Sequence, residues 1–324
     1  MPGNFQDIRI FVAVYEELSF TAAAKREHST QSGVSQHIRK MEENLGTKLF
    51  FRGSGSVSPT PAGEIFYVGC VEILRKHERL RREMQQFGSS LEGEIIVGLM
   101  PTMTRCALAP ALASFSEAHP NVVVHIIESY SSTLTQQVRS GDLAFAIVPA
   151  ATNTVGLRSQ LFLHTPELLV SRRPSKLEHR APLRPSELPP LKLVLPRKLN
   201  TRRSRIETYL TANGVTIERL LELDSMFGTI DYVSQTDWVT VLPAIMMVND
   251  IEKSELTINA LVEPALRLDL IAIEPSRTLM PEAAEAFLDT LREKAVLINN
   301  RVSELMLRAE LPESRKPVRQ RRAS

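Results

Sequence analysis

Apolar residues recur at three- and four-residue steps through the first part of the chain, and each run predicts a helix. Ile8, Phe11, Val12 and Tyr15 form one stripe. A second helix is expected to start at Thr21, an N-cap type following the apolar Phe20, and to carry the small Ala22, Ala23 and Ala24. Small residues allow the close crossing that a helix-turn-helix needs. A third helix reads from Thr30 to Gly46: Thr30 caps it, Val34, Ile38, Met41 and Leu45 make its apolar side, and Gly46 ends it in a left-handed turn. Leu49 to Val57 reads as a short wing hairpin around Ser54-Gly55-Ser56, and Thr60-Pro61-Ala62-Gly63 opens a long helix. Along that helix Phe66, Cys70, Ile73, His77, Leu80, Met84 and Phe87 alternate four- and three-residue steps, a heptad-type seam. A lone helix with such a seam predicts a homodimer formed through it, with His77 as an interface histidine.

Gly88-Ser89-Ser90 interrupts the pattern, which then changes to strands alternating with helices. Strands are expected at 94–100, 122–129 and 143–148, with helices at 106–119 and 133–140 between them. A second such run has strands at 192–195, 220–223 and 239–242 and helices at 201–213 and 225–234. Strands at 157–163 and 167–171 carry the chain between the runs, 269–274 is the return strand, and 280–307 is helical. The expected class is α/β with an all-α N-terminal part, two α/β lobes enclosing a cleft. The expected divisions are 1–60, a linker helix over 61–90, a two-lobed domain over 91–307, and a tail over 308–324.

The third helix has a second face of unusual chemistry. Gln31, Ser32, Ser35, Gln36 and Arg39 lie opposite its apolar side. Amides and hydroxyls with one cation suit hydrogen bonding to base edges in a major groove better than they suit a merely solvated surface. The surrounding motifs are F-x-A-V at 11–14, S-F-T-x-A-A at 19–24, Q-S-x-V-S-x-x-I at 31–38, L-G-x-x-L-F-x-R at 45–52 and T-x-A-G at 60–63. In this order and spacing they resemble the winged helix-turn-helix of LysR-type transcriptional regulators. Ser32 stands where that family commonly has proline. The resemblance extends more weakly over the α/β part, through S-G-D-L at 140–143, L-D-S at 223–225 and V-L-P at 241–243. It implies an effector domain like the type 2 periplasmic solute-binding proteins. It also implies dimers, pairs of dimers that bend a promoter, and RNA polymerase as a partner.

The DNA contacts expected on these grounds are Thr21, Thr30, Gln31, Ser32, Ser35, Gln36, Arg39 and Arg52, on an imperfect inverted repeat of double-stranded DNA. For the effector, the loops after the strands are the places to look, because ligands of open α/β sheets bind beyond the carboxyl ends of strands. This rule selects residues 100–104, 129–132 and 196–201. Thr102, Thr104, Ser131, Lys198 and Thr201 are the candidates, and a small organic acid is the expected ligand. Thr102, Thr104 and Thr201 match effector-contacting positions by resemblance; helix capping is the alternative role of each. Arg197, Lys198, Arg202, Arg203 and Arg205 cluster beside one of these loops, either to select an acidic effector or as a solvated basic face. Trp238, the single tryptophan, lines the cleft, an interface or the core.

Composition narrows the classes further. A 324-residue chain with 43% hydrophobic residues predicts two or three compact units with real cores. The net charge of +2 does not itself announce nucleic acid. The basic tail ESRKPVRQRRAS reads as disordered and solubilising, or as a weak contact to a DNA backbone. Two cysteines, Cys70 and Cys106, lack metal-site spacing, and the seven histidines are scattered. His37 is expected to face DNA or the neighbouring domain. No signal peptide, membrane span, cofactor motif, metal site or catalytic constellation is recognisable, which points to a cytoplasmic protein that is not an enzyme. The alternatives are a two-lobed solute-binding or enzymatic protein whose N-terminal helices serve assembly, and an architectural nucleoid protein without sequence preference.

Overall fold

The computed structural model describes residues 4–52, 57–85, 91–150, 155–197, 200–253 and 255–307. The N-terminal part contains α1 (Phe5–Glu17), α2 (Phe20–Arg26), α3 (Gln31–Leu45), β1 (Phe50–Arg52), β2 (Val57–Pro59) and α4 (Pro61–Gln85). The remainder runs β3 (Gly93–Leu99), α5 (Pro101–Thr104), α6 (Leu108–Ala118), β4 (Val122–Glu128), α7 (Ser131–Ser140), β5 (Phe145–Pro149) and β6 (Leu157–Arg172). Then follow β7 (Leu191–Leu195), α8 (Thr201–Ala212), β8 (Ile217–Glu222), α9 (Met226–Gln235), β9 (Val239–Pro243), β10 (Leu256–Ala260), β11 (Arg267–Pro275) and α10 (Glu282–Leu307). The chain divides into two compact units. One comprises the chain up to Met100 with Ser114–Phe162 and Ile271–Asp289; the other comprises Pro101–Ala113, Leu163–Leu270 and the chain from Thr290.

In the first unit the α1 stripe closes a three-helix core with α2 and α3. Phe11, Val12, Ala23, Val34, Ile38 and Met41 are buried together, and Leu49, Phe50, Cys70 and Leu74 join them from the hairpin and α4. The T-x-A-G motif has a geometric cause. Thr60 Oγ1 donates to Lys48 O at 2.7 Å and accepts from Gly63 N at 3.0 Å. A Cβ on Gly63 would lie 2.2 Å from Leu49 O, so only glycine fits where α4 passes the hairpin. The helix caps follow the expected chemistry with one correction. Thr30 caps α3, and Gly46 ends it with φ +65°. Ser19, not Thr21, caps α2, accepting from Ala22 N at 3.2 Å; Thr21 lies inside the helix.

The long-helix seam also needs correction. Cys70 and Leu74 are buried against the helix-turn-helix and Phe66 packs on the same core, so these positions are not free for a partner helix. Ile65, Ile73 and Leu80 are exposed, as is Val68. The apolar pattern of α4 therefore sums two stripes, one turned inward and one outward. His77 sits over Phe5 with ring centroids 4.4 Å apart. The side chain of Met84 and all of Phe87 lie outside the described residues, as do Gly88-Ser89-Ser90, the wing tip Ser54-Gly55-Ser56 and the tail over 308–324.

The same unit carries β3 flanked by β4 and β5, all parallel, as the βαβ grammar requires. The second unit has β7 parallel to β8 and β9, and β6 antiparallel to β9 and β10. The two linking strands expected at 157–163 and 167–171 are one continuous β6, running from one unit into the other, as β11 does on the way back. Pro166 marks the apparent break. The N–H it lacks is not needed there, because the pairing with β9 begins only at Glu167. β10 is an addition to the expected strands.

Glu42 is the unexpected member of the N-terminal core. Its carboxylate, on the buried side of α3, accepts from Leu49 N at 2.9 Å, Phe50 N at 3.3 Å and Lys48 Nζ at 3.0 Å. Burial pushes its carboxyl pKa up, but Lys48 and the two backbone N–H groups outweigh that, and the net shift is downward. Its stabilising contribution is therefore complete above the ordinary carboxylate range and is lost as pH falls through the depressed folded-state value. Glu42→Ala orphans two buried donors and is expected to destabilise this domain by about 1–3 kcal/mol at neutral pH. Urea unfolding of both proteins at pH 7 and pH 4 checks this, with a gap between them that narrows in acid.

Candidate DNA-binding face and sensor site

The core anchors one side of α3 through Val34, Ile38, Met41 and Glu42. The other side is left to solvent: Gln31, Ser32, Gln36 and Arg39 are exposed and Ser35 is half-buried. Thr30 Oγ1 accepts from Gly33 N at 3.1 Å and lies 3.2 Å from Ser32 Oγ, which fixes the first turn. Arg39 Nε donates to Glu43 at 2.9 Å, but its side chain remains 74% exposed. Such an i,i+4 pair is weak enough to open toward a phosphate. Thr21 is exposed on α2. The side chain of Arg52 lies outside the described residues. Sequence reasoning passed over Lys40, exposed one helical turn after Gln36; that i,i+4 step was the available signal. His37 Nδ1 is bonded to Asp7 on α1, within the same domain.

In the second unit, Thr102 is 1% exposed and its Oγ1 has no hydrogen-bond partner in the protein. A buried hydroxyl left unpaired is costly, so this one is available to a ligand or a water. Thr104 is committed locally, donating to Pro101 O at 3.4 Å. On β6, the buried Thr165 accepts from Ile245 N at 3.2 Å. Thr201 is exposed; Asn200, not Thr201, caps α8, accepting from Arg202 N at 3.0 Å. Lys198 lies outside the described residues. Ser131, in the first unit, is buried in the first turn of α7. The candidate effector residues thus fall on both units; among the described ones, Thr102 is the one whose buried side-chain oxygen has no hydrogen-bond partner in the protein.

Residues 5–64 match the family model described as bacterial regulatory helix-turn-helix protein, lysR family. Residues 88–296 match the LysR substrate binding domain. The chain belongs to the LysR family. Among its relatives, the nitrogen assimilation regulatory protein nac of Klebsiella aerogenes is 27% identical over 241 residues, 74% of this chain and 78% of that protein. The HTH-type transcriptional regulator YbhD of Escherichia coli is 25% identical over 92% of both chains. A full-length OxyR variant from Pseudomonas aeruginosa has the same fold, with a TM-score of 0.58 at 20% identity over 90% of this chain and 95% of that one. Full-length CbnR complexed with its target DNA gives a TM-score of 0.52 at 18% identity, over 90% of this chain and all of that one. Membership makes the chain a DNA-binding transcriptional regulator with an effector-binding domain.

In this LysR-type sensor, the two buried arginines in the first turn of α8 are structural. Arg202, 3% exposed, donates to Glu167 at 3.0 and 2.7 Å and to Val241 O at 3.1 Å. Arg203, also buried, bonds Pro196 O at 2.7 Å and pairs with Glu207 and Glu222. Arg197 holds Asp224 through its N–H and guanidinium. Arg202 and Arg203 are therefore neither an effector clamp nor a solvated face, whereas Arg197 and Arg205 keep side chains 68% and 45% exposed. Trp238 is core, packed beside Tyr232 with Arg219 above its ring. Both cysteines are buried, and burial pushes the Cys70 thiol up to about 12. Cys106 is also raised, by burial despite Arg105. Neither is poised as a thiolate. Among the described residues no metal-binding cluster occurs and no helix is long and apolar enough to cross a membrane.

Removing one partner of a buried ion pair leaves the other charge uncompensated. Arg202→Ala is therefore expected to cost about 3–5 kcal/mol of stability, far more than an exposed arginine would. Denaturant unfolding reads the loss, and a stability equal to wild type would return Arg202 to the list of ligand contacts.

Proposed function

We propose that the chain binds an imperfect inverted repeat upstream of a regulated gene, with one α3 helix of a dimer in each of two successive major grooves. Gln31, Ser32, Ser35 and Gln36 read base edges, Thr21 and the Thr30 end of α3 approach the backbone, and Arg39, Lys40 and Arg52 hold phosphates. The observation that carries this reading is the exposed amide-and-hydroxyl face of a helix whose opposite side is locked into the core. The outward stripe of Ile65, Ile73 and Leu80 on α4 supports pairing with a second copy. Pairs of dimers that bend the promoter, with RNA polymerase as the downstream partner in the cytoplasm, complete the proposal.

The effector is a small organic acid held by hydroxyls, with Thr102 as its central contact. The unpaired buried Thr102 oxygen supports this, and the arginines tied to Glu167, Glu222 and Asp224 leave the hydroxyls to do the binding. Binding must favour one arrangement of the protein over another to change its hold on the promoter.

A gel-shift titration on the DNA upstream of the chain's own gene, against a scrambled duplex, tests the DNA half. Gln31→Ala should relax base preference by about 1–3 kcal/mol at the contacted position, whereas Lys40→Ala should weaken all sequences alike and flatten the salt dependence. Equal affinity for native and scrambled DNA removes the regulator reading. For the effector half, a thermal-shift screen of organic acids should raise the melting temperature. Thr102→Val should abolish that rise while leaving the ligand-free melting temperature near wild type. An undiminished rise in the variant would put the binding site elsewhere.

A further inference from the structure

Glu16 on α1 has a side chain only 1% exposed, an unusual place for a carboxylate in a small DNA-binding domain. It is bonded to Arg26 of α2 and accepts from Tyr67 Oη of α4 at 2.9 Å. Its remaining partners come from the far end of the sequence. Ser276 Oγ donates to it at 3.1 Å, and Arg277 Nη1 stands 3.8 Å away. Arg277 also lies 3.9 Å from Glu27, and Arg75 of α4 donates to Ser276 O at 3.2 Å. Gly156, just before β6, completes the enclosure: its carbonyl accepts from Ser276 N at 3.0 Å. A Cβ on Gly156 would lie 2.9 Å from Glu16 Cδ, and its φ of +77° already favours glycine. The helix-turn-helix and the sensor residues of the same compact unit thus meet on one buried carboxylate.

Opposing contributions meet at this junction. Enclosing Glu16 carries a desolvation cost, which its hydrogen bonds and Arg26 offset. Burial leaves its carboxyl pKa raised even against Arg26, Tyr67 and Ser276. Undocking would lose Ser276 and Arg277 but give the carboxylate water in return. Arg26 Nε and Arg277 Nη1, both buried, have no hydrogen-bond partner within the protein, so the closed form is not fully satisfied. A contact with large opposing contributions and incomplete pairing is one that a modest bias can open.

We propose that the Glu16 junction is a releasable latch, which holds the helix-turn-helix on the chain's own sensor region and so decides where α3 points. The latch rests on the regulator reading above. Its parts lie outside the α3 reading face, so opening it changes the direction of the helix without changing the chemistry that reads bases.

The test uses the full-length protein with Ser276→Ala/Arg277→Gln, with Gly156→Ala as a second route to the same opening, and with Arg277→Lys as the conservative control. Hydrogen exchange should rise about tenfold at residues 155–158 and 274–278 in both opening variants, with α3 protected as in wild type. On the DNA upstream of the chain's own gene, affinity for a duplex carrying one half-site should stay within about twofold of wild type. The bend angle read by circularly permuted gel shift, and the footprint length, should change. Arg277→Lys should behave as wild type in every assay. Unchanged exchange in both opening variants overturns the latch. Raised exchange with wild-type bend and footprint overturns its steering role, leaving plain packing. Wild-type protein that binds no DNA defeats the regulator reading and the steering with it, while exchange still reports separately whether the junction opens.

Discussion

A recognition helix can offer polar atoms to a groove only when its other side is held rigidly, and here that hold is partly ionic. The apolar stripe of α3 supplies the area, but Glu42 supplies direction, because its bonds to Leu49 and Phe50 tie the helix to the strand that follows. Thr60 and Gly63 carry the same tie onward to α4. Three elements are thereby joined by directional bonds rather than by non-directional burial alone. The reading face inherits its definition from that framework.

The N-terminal half was legible because its signals are local. Caps, small residues at a crossing and a three-four periodicity all act within one or two turns, so Thr30, Gly46 and the stripe from Val34 to Met41 could be read directly. The slip from Ser19 to Thr21 is of the same local kind: two cap-type residues flank Phe20, and either could start the helix. The α4 seam was misread for a different reason. A helix that packs on its own domain and also exposes apolar residues superimposes two stripes, and their sum imitates one heptad pattern.

The sensor half was legible in class and order but not in its charges. Whether an arginine faces solvent, a ligand or a carboxylate from another strand depends on partners far away in sequence. Arg202 meets Glu167, and Arg203 meets Glu222, across connections that no local rule reaches. β6 shows the converse. Pro166 reads as a break in any local pattern, yet the strand continues because the missing donor falls outside the ladder with β9. Thr102 could be selected by its place after a strand; that its hydroxyl is buried and unpartnered is a tertiary fact.

Ser276 and Arg277 directly follow β11, late in the sequence, yet they touch the first helix of the chain. LysR-type proteins join a DNA-reading head to a sensor in sequence, which invites exchange of heads between members. In this chain such a graft, cut anywhere in α4, would set Glu16 against foreign residues in place of Ser276 and Arg277 while keeping every base-reading side chain. Compatibility between head and sensor is thus written into a handful of positions on both sides of the splice, and hybrid regulators built from this scaffold need to carry them as a set.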